Sequence, residues 1–228
     1  MKLSHGLAAL SLLALGAAAH AEVTATVTGV SDYDFRGITQ TAQDPALQAS
    51  IDYTHESGFY IGAWGSNVDF GDCCDESIEV DIYAGFRGGE DVTWDVGGVY
   101  YTYPGADNID FPEIYASVGY KMVSGKIWYS NDFGSSGDSA WYYEANLNVP
   151  LPSNFGASAH IGKSDGDYWG DNDYFDWNVG VTYALGHFTL GLKYIDGSDL
   201  EIANDTPDDV GSSDARAVFS VSTTFPWK

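Results

Sequence analysis

The sequence is poor in basic residues and, beyond its first residues, in long apolar runs. Nine Lys and Arg stand against 33 Asp and Glu in 228 residues, for a formal net charge of −24. Phosphate contacts are made largely by Lys and Arg, so we expect no nucleic-acid partner. No segment after the N-terminus approaches the roughly 18 apolar residues of a spanning helix. Any membrane insertion is therefore expected to be by strands.

The N-terminus has the composition of a secretory leader. Lys2 supplies a positive charge, residues 7–19 are rich in Leu and Ala, and Ala19-His20-Ala21 fits a small-x-small cleavage site. We therefore predict a signal peptide over residues 1–21 and a single mature domain over residues 22–228, outside the cytoplasm.

Glycine, aromatic residues and period-two alternation are abundant. The chain contains 27 Gly, 16 Tyr, 11 Phe and 7 Trp, a composition typical of membrane barrels with aromatic belts. The alternation is clearest from Ala46 to Asp69, where two runs flank a turn at residues 55–58. Successive strand side chains point to opposite faces, so each run has one apolar and one polar face. We expect Leu47, Ile51 and Phe59 to face lipid.

Similar runs continue along the chain and predict the fold class. Besides the two runs of that hairpin, the predicted strands cover residues 23–36, 77–87, 91–103, 113–121, 126–132, 141–149, 155–163, 174–185, 188–196 and 215–225. They predict an all-β protein, a transmembrane antiparallel up-and-down β-barrel of about 12 strands. Short connections alternate with long ones, which predicts tight periplasmic turns, extended extracellular loops and both termini in the periplasm.

Charged residues of both signs share the polar face of these strands, while the apolar face is nearly free of charge, as a lipid-facing surface must be. This pattern predicts a polar lumen and no catalytic residues. The candidate pore-lining residues are Asp32, Asp34, Arg36, Asp52, Glu79, Asp81, Arg87, Asp95, Glu113, Lys121, Glu144, Asp176, Lys193 and Arg216. The first three are expected to form an ion-pair cluster on the first strand.

Large side chains of the same parity leave open whether the lumen conducts. A small barrel can be filled outright by its inward side chains. The bulky inward candidates are Trp64, Tyr83, Tyr115, Trp128 and Tyr142.

Three further features are weaker candidates for chemistry. Oxygen-rich loops can bind Ca²⁺, but the acidic loops lack the spaced pattern of an EF-hand, so we predict solvated charge, no metal site and no cofactor.

For the adjacent Cys73 and Cys74, a vicinal disulfide, free thiols and contacts between chains all remain open. His160 shares a face with Ser158, but no motif marks a nucleophile, so we predict no enzyme. The acidic loop residues include Asp72, Asp75, Glu76, Asp107, Asp110, Asp165, Asp167, Asp171, Asp173, Asp199, Glu201, Asp205, Asp208, Asp209 and Asp214.

The stretch SDYDFRGITQ at residues 31–40, followed by PALQ at 45–48 and GFYIGAWGSNVDF at 58–70, resembles the signature of the TorF family of proteobacterial outer-membrane porins. The resemblance implies a Gram-negative outer-membrane barrel that conducts small solutes, and it brings no catalytic or ligand-binding residues. The last strand is followed by Pro226-Trp227-Lys228, a departure from the usual terminal aromatic residue.

Together these features predict a porin-like channel for passive diffusion of small hydrophilic solutes, with cations favoured because an acidic mouth concentrates them. The expected partners are outer-membrane lipid, lipopolysaccharide and the solutes, and the oligomeric state stays open. The alternative is a closed structural or adhesive barrel whose acidic extracellular loops bind a partner.

Overall fold

Period-two alternation produces one closed sheet in the computed structural model, which describes residues 21–71, 77–106, 109–198 and 209–227. Twelve antiparallel strands form the barrel, each paired with its neighbours in sequence, and the first strand closes the ring against the last. The predicted all-β barrel of about 12 strands is confirmed. The strands are β1 (Glu22–Val30), β2 (Asp34–Phe35), β3 (Ile38–Thr39), β4 (Ala46–Thr54), β5 (Phe59–Asn67), β6 (Ile78–Gly89), β7 (Val92–Thr102), β8 (Phe111–Tyr120), β9 (Val123–Ser130), β10 (Ala140–Pro150), β11 (Phe155–Asp165), β12 (Tyr174–Leu185), β13 (Phe188–Gly197) and β14 (Arg216–Phe225).

One 3-10 turn, Phe133–Ser135, lies in the connection between β9 and β10. Within the described residues, none of the helical structure has the length and apolarity needed to cross a membrane.

The outer surface of the barrel is apolar. Leu47 and Ile114 are 65% and 63% exposed, and similar side chains recur at every second position of the barrel strands. Aromatic residues lie near both ends of this surface: Tyr100, Trp141 and Phe175 at one end, and a contact between Phe59 and Phe86, with ring centroids 5.3 Å apart, at the other. The predicted apolar parity therefore faces outward.

Short and long connections lie at opposite ends of the barrel. The short turns cover residues 55–58, 90–91, 121–122, 151–154 and 186–187. Glu22 pairs with Thr54, and Phe225 pairs with Ala25, so the free ends of β1 and β14 lie at the short-turn end. A Cβ at Gly58, where φ is +88°, would lie 2.1 Å from a backbone oxygen, so the first of these turns requires glycine.

The first strand is shorter than predicted. Instead of running to residue 36, β1 ends at Val30, and residues 31–45, here called the luminal ribbon, fold into the barrel. Within the ribbon β2 pairs with β3 through Arg36 and Gly37, both with positive φ, which is a two-residue hairpin turn. Alternation continues through these residues, but β2 and β3 pair with each other and not with the strands of the barrel wall.

Lys121 is not on a strand, contrary to the prediction. It lies exposed in the turn between β8 and β9, with a φ of +55°. The next strand begins three residues before its predicted start at residue 126, since Val123 on β9 pairs with both Tyr120 and Leu147. The predicted leader through residue 20 lies outside the described residues, and so do Cys73, Cys74 and the acidic residues of the loops at 72–76, 107–108 and 199–208.

Candidate functional site in the barrel lumen

An arginine at the start of β14 hydrogen-bonds with the luminal ribbon at three residues. Arg216 donates through Nε to Asp32, through Nη2 to Asp34 Oδ1 at 2.6 Å, and through Nη1 to the carbonyl oxygen of Gly37 at 3.0 Å. Asp32 also accepts a hydrogen bond from Thr39. Because Asp32 and Asp34 both pair with Arg216, the predicted cluster of Asp32, Asp34 and Arg36 does not form.

The surroundings of Asp34 destabilise the charged form of its carboxyl group. Burial raises the pKa of Asp34 to about 6, against the opposing effect of Arg216 and Lys193, while Asp176 and Asp32 raise it further. A carboxyl group with this pKa changes its charge within the range of mildly acidic media.

Arg36, at the tip of the ribbon, binds the barrel wall opposite β14. It donates through Nη1 and Nη2 to the two carboxylate oxygens of Glu113 on β8, at 2.9 and 2.6 Å. The hydroxyl of Tyr101 donates to the same carboxylate at 2.9 Å. The guanidinium carbon lies 4.4 Å from the ring centroid of Tyr142 and 4.7 Å from that of Phe35. The ribbon therefore spans the lumen from β14 to β8.

Aromatic side chains fill the lumen around the ribbon. Tyr33 packs against Trp64 with ring centroids 5.2 Å apart, and Phe35 packs against Tyr101 at 5.9 Å. The predicted inward side chains Trp64, Tyr83, Tyr115, Trp128 and Tyr142 are all buried or half-buried. At the level of the ribbon the lumen is thus occupied by side chains of the protein itself.

A second polar cluster lies on β10, β11 and β12. His160 contacts Asn146 Oδ1 through Nδ1 at 2.8 Å and Asp176 Oδ1 through Nε2 at 3.0 Å. Tyr142 donates to Asp176 Oδ2 at 2.9 Å, and Glu144 Oε2 lies 3.6 Å from His160 Nδ1. The cluster is a hydrogen-bonded network around one histidine, in which each carboxylate has a partner.

The hydrogen-bond contacts of His160 are with Tyr142, Asn146 and Asp176. No hydrogen bond joins His160 to Ser158 among the described residues. Over the same part of the chain, no group of three or more His, Cys, Asp or Glu side chains is placed to hold a metal ion.

Tyrosines partner the charged side chains nearer the short turns. Asp52 accepts from the hydroxyl of Tyr83, and Asp95 accepts from that of Tyr60 at 2.6 Å. A Cβ at Gly97 would lie 2.6 Å from the hydroxyl of Tyr115, so glycine on the inner wall lets this tyrosine lie along the sheet.

Basic side chains of the inner wall also lie against rings. Arg87 donates to Thr54 at 2.8 Å and lies over the ring of Tyr60. Lys126 was not among the predicted pore-lining residues, although it has the same parity. Its Nζ lies 3.6 Å from the ring centroid of Tyr115. Lys193 is half-buried on the inner face of β13.

Glu79 and Asp81 are among the most enclosed of the predicted residues, together with Glu113 and Asp176. Glu79 and Asp81 both lie on β6 and are 1% and 2% exposed. Among the described residues no donor reaches Glu79 Oε2 or Asp81 Oδ1, which sets them apart from the satisfied carboxylates above.

A family model described as a bacterial protein of unknown function, Gcw_chp, matches residues 14–225. The chain belongs to the Gcw_chp family. No protein with a curated description matches this Gcw_chp sequence. The family model carries a different name from TorF, so the TorF resemblance stays a prediction.

Solved structures similar to this Gcw_chp barrel are outer-membrane porins. The NanC porin has a TM-score of 0.58 at 10% identity, covering 89% of this chain and 99% of its own. The KdgM porin has a TM-score of 0.56 at 8% identity, covering 90% and 99%, and KdgM is also known in complex with disordered oligogalacturonate, with a TM-score of 0.56 at 7% identity over the same shares. At these identities the likeness shows the fold alone.

Proposed function

We propose that this chain is an outer-membrane channel of the porin type for passive diffusion of small hydrophilic solutes, with the luminal ribbon as its constriction. The observation that carries the proposal is the contrast between the two faces of one closed sheet, with an apolar outer wall and a charged inner wall. Apolar outside and polar inside is what a water-filled barrel in lipid requires. The TorF resemblance and the porin neighbours point the same way.

The location and orientation follow as part of the same proposal. A leader over residues 1–21 would export the chain, and outer-membrane lipid and lipopolysaccharide would surround the barrel. The short turns and both termini would face the periplasm, since bacterial barrels have short periplasmic turns and longer extracellular loops.

A preference for cations is the finer part of the proposal. Among the charged side chains placed above on the inner wall and the ribbon, nine are carboxylates and five are lysine or arginine. An excess of carboxylates in a narrow passage attracts cations and repels anions. We therefore expect a reversal potential with the sign of cation selectivity in a KCl gradient.

The test is conductance in planar bilayers, with wild type beside a variant in which residues 32–44 are replaced by a short Gly-Ser linker. Removing the ribbon opens the passage between β14 and β8, so its single-channel conductance should exceed that of the wild type several-fold. Uptake of a tracer sugar into liposomes provides a second readout. If neither protein conducts, the proposal fails in favour of a closed structural or adhesive barrel whose acidic extracellular loops bind a partner.

A further inference from the structure

Two neighbouring carboxylates on β6 lie on the inner wall beneath the luminal ribbon. Glu79 and Asp81 are two positions apart and so share one face of the strand. In the register of the sheet, Ser66 on β5 stands opposite Glu79, and Tyr101 on β7 stands opposite Asp81. Tyr33 of the ribbon reaches Glu79, so the ribbon covers the pair from the lumen side.

The pair is not satisfied by the groups around it. Tyr33 and Tyr103 hydrogen-bond with Glu79, and Glu79 and Asp81 hydrogen-bond with each other. Among the described residues no further donor reaches Glu79 Oε2 or Asp81 Oδ1, and the two residues are only 1% and 2% exposed. A buried carboxylate without compensation is strongly unfavourable, so such groups acquire a partner or a counter-charge.

The basic side chains nearest the ribbon do not supply that charge. Arg36 pairs with Glu113, and Arg216 pairs with Asp32 and with another aspartate of the ribbon. No ion pair among the described residues includes either β6 carboxylate. A proton shared between the two would still leave one negative charge buried, whereas a divalent cation neutralises both.

We propose that Glu79 and Asp81 bind one hard divalent cation, Ca²⁺ or Mg²⁺, between β6 and the luminal ribbon. Apart from Trp64, which stands opposite Asp81 on β5, the side chains named around the pair offer oxygen atoms, which are the ligands that these ions prefer. The hydroxyl of Ser66 donates its proton to the backbone oxygen of Asn67 at 2.9 Å, so its own oxygen is free to face the ion. Water completes the coordination shell.

The affinity follows from the small number of charged ligands. With two carboxylates and no third His, Cys, Asp or Glu in the cluster over the described ranges, we expect a dissociation constant on the order of 10⁻⁴–10⁻³ M, as in extracellular calcium modules. The site requires the folded barrel and not conduction, so it does not depend on the proposed transport function.

The test uses the mature barrel folded in detergent micelles, treated with chelator and titrated with CaCl2 or MgCl2 at constant ionic strength. The thermal midpoint of wild type should rise saturably with the metal concentration. In Glu79→Gln/Asp81→Asn the half-saturation point should weaken at least tenfold, and the midpoint in chelator should lie above that of wild type because the buried charge is gone. The control Glu90→Gln/Asp91→Asn removes the same two charges from the exposed turn between β6 and β7 and should keep the wild-type response.

Three results would overturn the site: no metal-dependent shift in wild type, an equal loss in the control, or an equal shift with NaCl at matched ionic strength. If the double variant does not fold, Asp81→Asn alone should show the tenfold weakening, and an unchanged response there counts against the site. A barrel that binds Ca²⁺ and does not conduct contradicts only the transport proposal. A barrel that conducts and binds no divalent cation contradicts only this one.

Discussion

The ion pair between Arg36 and Glu113 should decide how firmly the luminal ribbon closes the barrel. Their side chains are 7% and 1% exposed and share two hydrogen bonds of 2.9 and 2.6 Å. The substitution Arg36→Met keeps much of the contact with the surrounding rings but leaves Glu113 buried with one donor, Tyr101. Removing one partner of a buried pair costs about 3–5 kcal/mol.

This cost destabilises only the docked state of the ribbon, because water can solvate Glu113 when the ribbon is undocked. At about 1.4 kcal/mol per tenfold change, the lower bound raises the ratio of undocked to docked ribbon roughly 100-fold. We expect the ribbon amides of Arg36→Met to exchange with deuterium about 100-fold faster than in wild type, and the open probability in planar bilayers to rise.

A double-mutant cycle isolates the pair from other effects of the substitution. Glu113→Gln should also weaken docking, and the combined variant should lose less than the sum of the two single losses, because neither charge is then left alone. The control is Lys163→Met, which breaks an ion pair with Asp165 whose members are 32% and 40% exposed, so the pair stabilises the fold little. Unchanged ribbon exchange in a folded Arg36→Met barrel would refute the reasoning.

Three further outcomes follow from the described contacts. Asp34 keeps its proton in the fold at pH values where the unfolded chain has released it, so this group stabilises the fold below about pH 4, and that contribution is lost as pH rises through about 6. Asp34→Asn should flatten this part of the profile of thermal midpoint against pH, and an identical slope would contradict the assignment. Gly97→Ala, whose Cβ would meet Tyr115 at 2.6 Å, should lower the unfolding free energy in urea by about 1–3 kcal/mol, whereas Gly29→Ala, with nothing within 4 Å, should be neutral. Ile51→Arg on the outer face should cost about 2–4 kcal/mol in vesicle refolding, and Ser50→Arg on the inner face should cost clearly less; equal costs would count against a lipid-facing outer wall.

The hairpin from Ala46 to Asp69 shows which structural features a local sequence pattern can predict. Its two runs became β4 and β5, and its turn is the one that Gly58 makes possible. Both faces were predictable because the direction of a strand side chain depends only on its position in the strand. The same rule placed Glu79 and Asp81 inward, but it carried no information about the pairing of their carboxylate oxygens.

The luminal ribbon shows where that pattern stops being sufficient. Asp32, Asp34 and Arg36 continue the alternation of β1, so the sequence predicted a longer strand. A signal for the hairpin was present in Arg36-Gly37, since a two-residue turn containing glycine favours one. Its anchor was not visible in the sequence, because Arg216 follows Asp32 by 184 positions.

By itself the sequence determined the class of fold, the number of strands, their two faces and the alternation of short and long connections. All of these depend on interactions between residues that are close in the chain or on the period of a strand. Only the tertiary structure decided that residues 31–45 fill the lumen and that Glu113 on β8 and Arg216 on β14 hold them from opposite walls. It also decided that, among the described residues, no basic side chain pairs with Glu79 or Asp81. These features depend on which distant charges meet when the barrel closes, and a local pattern of alternation does not encode that choice.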